Sequence, residues 1–110
     1  MQGVVLVNNA KSSATDTIEV FYTSPVGQRG TVISSFTATN STGSNKSYKA
    51  YIYDSTGTAT SPIIPTKGII NDGFDTGSAI VNHKIPAGGT LRMESSSANG
   101  INFYVTGNEL

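Results

Sequence analysis

The clearest structural signal in this chain lies near its end, in Ile85-Pro86-Ala87-Gly88-Gly89-Thr90-Leu91-Arg92-Met93-Glu94-Ser95 and then, after the turn Ser97-Ala98-Asn99-Gly100, in Ile101-Asn102-Phe103-Tyr104-Val105-Thr106-Gly107. Apolar and polar residues alternate in both parts, which is typical of half-buried β-strands. The Asn-Gly pair between them is typical of a tight turn. The sequence therefore predicts a hairpin of two antiparallel strands.

The same period of two recurs along most of the chain, and no window has the apolar spacing of an amphipathic helix. Besides the hairpin, strands are predicted over residues 4–7, 17–23, 31–40, 46–54 and 78–85. Between residues 55 and 77, glycine and proline interrupt the pattern, so we expect one short edge strand and two loops there. About eight short strands predict an all-β, two-sheet antiparallel β-sandwich, either jelly-roll or immunoglobulin-like.

Alternation also predicts which side chains share a face. In residues 31–40 it places Val32, Phe36 and Ala38 on one face and Ile33 on the other. In the strand over residues 46–54, it places Tyr48, Ala50 and Ile52 on one face. Lys49, Tyr51 and Tyr53 then lie on the other face. One face of each strand is expected in the core, and the other meets solvent or a partner.

Length and composition indicate one folded domain. The 110 residues suit a single β-sandwich over residues 17–110, preceded by an N-terminal strand or extended arm over residues 1–16. Ser, Thr, Asn and Gly supply 49 of the 110 residues, whereas charged residues supply 13%. Such polarity can mean disorder, but disorder is normally accompanied by high net charge, and here the formal charge is zero. A turn-rich β protein fits better.

Charge and cysteine content narrow the function. A neutral chain without a Lys or Arg cluster is a poor nucleic-acid binder. The absence of cysteine excludes disulfides and thiolate metal sites. The apolar run at residues 4–7 is much too short for a signal peptide core or a membrane span. We therefore expect a protein made in a cytoplasm, with no cofactor and no membrane or nucleic-acid partner.

No catalytic pattern is present. His83 is the single histidine, and without cysteine or a nearby triad partner it is expected to be a structural or surface residue. Oxygen ligands cluster only at Asn71-Asp72-Gly73-Phe74-Asp75-Thr76-Gly77, which lacks the spacing of an EF-hand. A plain turn is the favoured interpretation there, and a cation site is the alternative. The sequence predicts that the protein is not an enzyme.

Two candidate interaction surfaces remain. The run Val4, Val5, Leu6 and Val7 is either an arm that pairs with the sheet edge of a neighbour or the ordinary first strand of the same domain. The face formed by Lys49, Tyr51 and Tyr53 is either a contact with another protein, a wet sheet with cross-strand pairs, or a platform for sugars.

Several segments together resemble the small β-sandwich virion proteins of tailed bacteriophages, which include head decoration (cement) proteins and small tail-associated proteins. The resemblance covers most of residues 17–107 and is carried by the segments VFYTSP (20–25), GTVISSFTATN (30–40), YIYD (51–54), IPAGGTL (85–91) and NGINFYVTG (99–107). Residues 57–78 depart from the compact hairpin expected for the group.

The resemblance implies a structural virion protein, foremost a decoration protein that binds the outer surface of a phage head and stabilises it. Its partner would be the major capsid protein, and many copies or a homo-oligomer would be present on each particle. The alternative is a receptor- or carbohydrate-binding module, or a small structural protein, of a phage tail or neck. No catalytic residue is implied.

Overall fold

The computed structural model describes residues 3–110, and within that range it contains nine strands and no helix. The prediction of an all-β chain is confirmed, with one strand more than the eight expected. In chain order the strands are β1 (Val4–Lys11), β2 (Glu19–Thr23), β3 (Thr31–Asn40), β4 (Lys46–Tyr53), β5 (Ile64–Ile69), β6 (Gly73–Asp75), β7 (Lys84–Ile85), β8 (Thr90–Ser95) and β9 (Ile101–Glu109).

The strand order is that of a jelly roll. The first sheet has the order β1-β9-β3-β6, with β7 beside β3, and the second has the order β2-β8-β4-β5. All of these pairings are antiparallel. When β6 and β7 are counted as one interrupted strand, the first strand pairs with the last, the second with the next to last, and so on inward. This rolled order distinguishes a jelly roll from an immunoglobulin-like sandwich.

Aromatic rings from both sheets form the centre of the core. Phe103 of β9 lies 5.2 Å from Phe21 and 5.5 Å from Tyr48, both edge-on, and Phe36 stacks on Tyr48 at 5.8 Å between ring centroids. Such edge-on and offset pairs are favourable ring geometries. Buried aliphatic side chains surround them, including Ile33, Ile80, Ile85, Leu91, Met93, Ile101 and Val105.

Bulges explain where the simple alternation was wrong. Ile33 pairs with Gly107 but Ser35 pairs with Thr106, so Ser34 is an extra residue in β3. Because the extra residue shifts the phase of the strand, Ile33 and Phe36 are both buried, although alternation had put them on opposite faces. Phe21 is the extra residue in β2, and as a result Phe21 and its neighbour Tyr22 both pack against the core.

The predicted strand over residues 78–85 is also wrong. Only Lys84–Ile85 is extended, whereas the preceding residues form turns in which the amide of Ile80 donates to the carbonyl of Gly77 at 2.9 Å. Gly77 and Asn82 both have positive φ, at 59° and 74°, which a regular strand does not allow. Ile80 is nevertheless fully buried, so its apolar character reflects core packing rather than strand pairing.

Candidate binding surfaces

The N-terminal run is a strand of the domain itself. Residues 4–11 pair with β9, and Leu6 and Val7 are buried in the common core. Leu6 is an extra residue between Val5 and Val7 in the register, which lets two consecutive side chains face inward. Only Val4 and Val5 remain exposed, at 37% and 50%. Of the two interpretations of this run, the first strand is the one observed.

Four exposed aliphatic side chains lie on or directly before the outer strands β1 and β2, while Val26 and Ile70 are exposed elsewhere. β1 and β2 are outer strands of their sheets and contact each other. Val20 on β2 is 51% exposed, and Ile18, directly before β2, is 38% exposed. Together with the two exposed valines of β1, they form what we call the β1/β2 margin: Val4, Val5, Ile18 and Val20.

The strand edges at this margin are poorly suited to pairing with another chain. β1 has two register irregularities, and within it Asn9 has a φ of 51°. β2 has the bulge at Phe21. Bulges twist an edge strand and interrupt its row of free backbone groups, a common protection against edge-to-edge association. Contacts at the β1/β2 margin are therefore expected to use side chains.

The second surface expected from sequence is largely covered. Tyr51 and Tyr53 do lie on the outer face of β4, but each is only 5% exposed. The Tyr51 hydroxyl donates to Oε1 of Glu94 at 3.0 Å, and the Arg92 guanidinium lies 4.0 Å from the ring centroid of Tyr53. Burial, followed by the Glu94 hydrogen bond, raises the pKa of Tyr51 to about 12. Because their own neighbours cover these rings, they offer no open platform for a sugar.

Lys49 shares this outer face and is half-buried, directly opposite Glu94 on β8. The three residues named from sequence therefore belong to one strand face, as alternation predicted. That face is a charged and aromatic cross-strand cluster in which Glu94 binds Tyr51 and Arg92 covers Tyr53.

The segment over residues 71–77 is only partly a turn. Asn71 and Asp72 form the turn, in which the amide of Gly73 donates to the carbonyl of Ile70 at 2.9 Å, and the next three residues form β6, a second strand where only one was expected between residues 55 and 77. The Asn71 side-chain oxygen accepts from the amide of Gly43 at 2.8 Å, and Oδ2 of Asp75 accepts from the Tyr48 hydroxyl at 2.5 Å and the Gly77 amide at 3.3 Å. These oxygens are thus engaged by the protein. Among residues 3–110, no three His, Cys, Asp or Glu side chains gather as a metal site would require. His83 is exposed, and its carbonyl accepts the amide of Ile33 at 3.0 Å.

A groove that sequence reasoning missed lies on the opposite edge of the first sheet. β7 pairs with β3 at Thr31 and Val32, and β6 pairs with it from Ala38 to Asn40, which leaves the middle of this edge without a strand partner. The turn segment 76–82 passes beside that gap, and the two together form a shallow groove, open to solvent, with a volume of about 450 Å³. Its polar lining consists of Ser34, Ser35, Thr37, Thr76, Ser78 and Asn82.

The charge of the lining sets this groove apart from two other depressions of the surface. A volume of about 200 Å³ near β4 contains Asp16, Lys49 and Glu94, and one of about 220 Å³ near β5 contains Lys67 and Asp75. The larger groove is lined only by uncharged side chains. In the sequence, the alternation of apolar and polar residues breaks around Gly77. This break predicted a loop but gave no indication of a groove beside it.

Comparison with family models, with curated proteins and with solved structures finds no match for this chain. Within the described residues, no helix is long and apolar enough to cross a membrane.

Proposed function

We propose that this chain is a non-enzymatic structural protein of a phage particle, a decoration (cement) protein that binds the outer surface of the head and stabilises it. The observation that carries the proposal is the β1/β2 margin, where three exposed valines lie on two contacting edge strands and the exposed Ile18 lies directly before β2. Val5 and Val20 flank this edge, because Val5 pairs with Thr106 on the outer face of the first sheet and Val20 pairs with Arg92 on that of the second. Exposed apolar side chains along an edge of a polar domain supply apolar surface for a protein contact.

The rigidity of the margin supports the same role. Each margin strand is anchored next to the core, since Leu6 and Val7 follow the exposed valines of β1 and Phe21 follows Val20. Side chains held in this way lose little conformational freedom on binding, which reduces the cost of forming a contact. A decoration protein needs only a modest contact at each copy, because many copies acting together resist expansion of the shell.

The charge balance predicts how such binding responds to salt. The chain has equal numbers of acidic and basic side chains, and the four margin side chains are uncharged. Long-range electrostatic attraction therefore contributes little to the rate at which the chain associates with the head. We expect binding to the head to change little with ionic strength, unlike the attachment of a basic protein to an acidic shell.

Co-sedimentation tests the proposal. The purified chain is mixed with tailless heads of the phage whose genome encodes it, and the mixture is sedimented through a density gradient. The wild-type chain should travel with the heads, and the double variant Val5→Glu with Val20→Glu should stay at the top. The matched control is Val26→Glu, because Val26 is 82% exposed in a loop outside the margin.

Two outcomes would contradict the proposal. One is binding to purified tails but not to heads, which would favour a tail component. The other is a double variant, Val5→Glu with Val20→Glu, that is folded and binds heads as well as the wild-type chain and the Val26→Glu control do. A parallel run of the chain without heads separates self-association from head binding.

A further inference from the structure

We infer that the groove between β6 and β7 is a binding site for a neutral sugar, such as an unmodified hexose unit of a glycan. This inference goes beyond the proposed function and does not depend on it. The groove lies on the β6/β7 edge of the first sheet, whereas β1 forms the other edge. The groove is separate from the β1/β2 margin, although its mouth is only two strands away from Val5, because Ser34 and Ser35 contact Thr106, which pairs with Val5.

The shape of the groove is built into the backbone. The bulge at Ser34 turns Ser34 and Ser35 outward together, and both are exposed at the mouth. Between the lining residues Thr76 and Ser78, Gly77 has a φ of 59° and lies so close to Phe36 that a Cβ there would be 2.3 Å from the ring. This segment is thus pressed directly against a core side chain, which fixes one side of the open groove.

The polar groups of the lining match sugar hydroxyls. Ser34 and Ser35 contact the hydroxyl of Thr106, at 3.2 Å and 2.5 Å. Within residues 3–110, the structure gives no protein hydrogen-bond partner to the side chains of Thr37, Thr76, Ser78 or Asn82 at the groove. Hydroxyl and amide groups both donate and accept, as the hydroxyls of a sugar do. Half-buried Val81 supplies the apolar part of the lining for the carbon-bound hydrogens of a ring, since Phe36 is only 2% exposed.

Charge and geometry select this ligand over the alternatives. An anionic sugar or a phosphate would enter the groove without a lysine or arginine in the lining to compensate its charge. An added peptide strand does not fit, because β6 and β7 close both ends of the open edge and leave only residues 34–37 between them. A short neutral glycan unit requires neither a counter-charge nor a continuous strand edge.

The test is a titration of the full chain, followed by amide chemical shifts, with neutral glucose, galactose, mannose and N-acetylglucosamine trisaccharides at up to about 10 mM, a range that detects millimolar affinity. At least one of them should shift the amides of residues 34–37 and 76–82 and leave those of β1 and β2 unchanged. Sialyllactose serves as the anionic comparison, and a five-residue β-forming peptide as the strand comparison.

Variants then assign the binding to the groove. Thr37→Val removes a hydroxyl at constant shape, and Asn82→Gly removes the amide while keeping the positive φ without strain. Together they should weaken sugar binding roughly tenfold or more, as expected for the loss of two ligand hydrogen bonds. Thr66→Val, on exposed β5, is the matched control and should leave the affinity unchanged.

Four results would overturn the inference: no shift with any neutral sugar, stronger binding of sialyllactose or of the peptide, shifts located outside the groove, or an affinity that the double variant leaves intact. None of them bears on head binding, so this inference and the proposed function fail separately.

Discussion

The hydroxyl of Tyr48 donates a hydrogen bond of 2.5 Å to Oδ2 of Asp75, and this bond joins the second sheet to β6 of the first. Tyr48 is 1% exposed, and its ring stacks on Phe36 beneath the groove. Asp75 also accepts from the amide of Gly77 at 3.3 Å, so one carboxylate links the core to the wall of the groove. Burial, followed by the bond to Asp75, raises the pKa of Tyr48 well above its ordinary value.

Removing this bond should loosen the far edge of the sandwich. Tyr48→Phe keeps the ring but leaves Asp75 without its phenol donor, and we expect the free energy of unfolding to fall by about 1–3 kcal/mol, the range for a hydrogen bond to a charged group. Urea denaturation measures the change. Tyr104→Phe, half-exposed on β9, is the control. An unchanged midpoint for Tyr48→Phe would show that the bond contributes nothing.

Stability should fall in alkaline solution. Burial, followed by the bond to Glu109, raises the pKa of Tyr22 to about 12, against an ordinary value of 10.0. Between these values the unfolded chain releases the phenol proton and the folded chain retains it, so rising pH favours unfolding. The stabilisation is complete below about pH 10 and is lost as pH approaches 12.

Thermal unfolding at a series of pH values checks this dependence. Tyr22→Phe lacks the titrating group, so its melting temperature should fall less steeply than that of the wild-type chain between pH 10 and 12. Identical slopes for the two proteins would contradict the assignment of a raised pKa to Tyr22.

Gly77 is the backbone position least able to accept a side chain at the groove. Gly77→Ala would combine a left-handed conformation with a Cβ 2.3 Å from the Phe36 ring. We expect a loss of about 2–4 kcal/mol in the free energy of unfolding from strain and overpacking. Gly68→Ala is the matched control, because a Cβ there meets nothing within 4 Å. If both variants unfold at the same denaturant concentration, the described approach of this segment to Phe36 is incorrect.

Asn40 holds together the end of the sandwich opposite the chain termini. Its buried amide nitrogen donates to the carbonyls of Ser44 and Ile69, at 2.8 Å and 2.9 Å, and its oxygen accepts from the amide of Thr42 at 3.1 Å. Asn40→Ala leaves these groups without partners and should cost about 2–4 kcal/mol of stability, measured in urea. The exposed Asn8→Ala should cost less than about 0.5 kcal/mol, and an equal effect of the two substitutions would refute this role for Asn40.

The sequence was informative where alternation is regular and uninformative where the chain changes phase. Strands β8 and β9 were predicted because both alternate and a turn with Asn-Gly lies between them. The predicted hairpin was wrong, since β8 pairs with β2 and β4 and β9 pairs with β1 and β3, so the turn connects the two sheets. The burial of Ile33 and Phe21 was not predicted. A bulge adds one residue to a strand, and the amino-acid sequence of these strands does not show where the extra residue lies. The choice of a jelly roll over an immunoglobulin-like order depends on pairings between distant strands, which no local pattern specifies.

The candidate surfaces follow the same division. All four residues of the N-terminal run were named as a candidate interaction surface. Val4 and Val5 are exposed, whereas Leu6 and Val7 are buried in the core. Tyr51 and Tyr53 alternate as surface residues do, but Arg92 and Glu94 from the neighbouring strand cover them. The groove arises from an interruption between β6 and β7, so its lining comes from two distant parts of the chain that only the folded structure brings together.

The orientation of the chain on a particle is the most direct test of the functional account, and cryo-electron microscopy of decorated heads measures it. The account predicts that Val5 and Val20 contact the shell and that the groove beside Thr37 and Asn82 faces solvent. A map in which the β6/β7 edge is buried against the shell while the β1/β2 margin faces outward would contradict it.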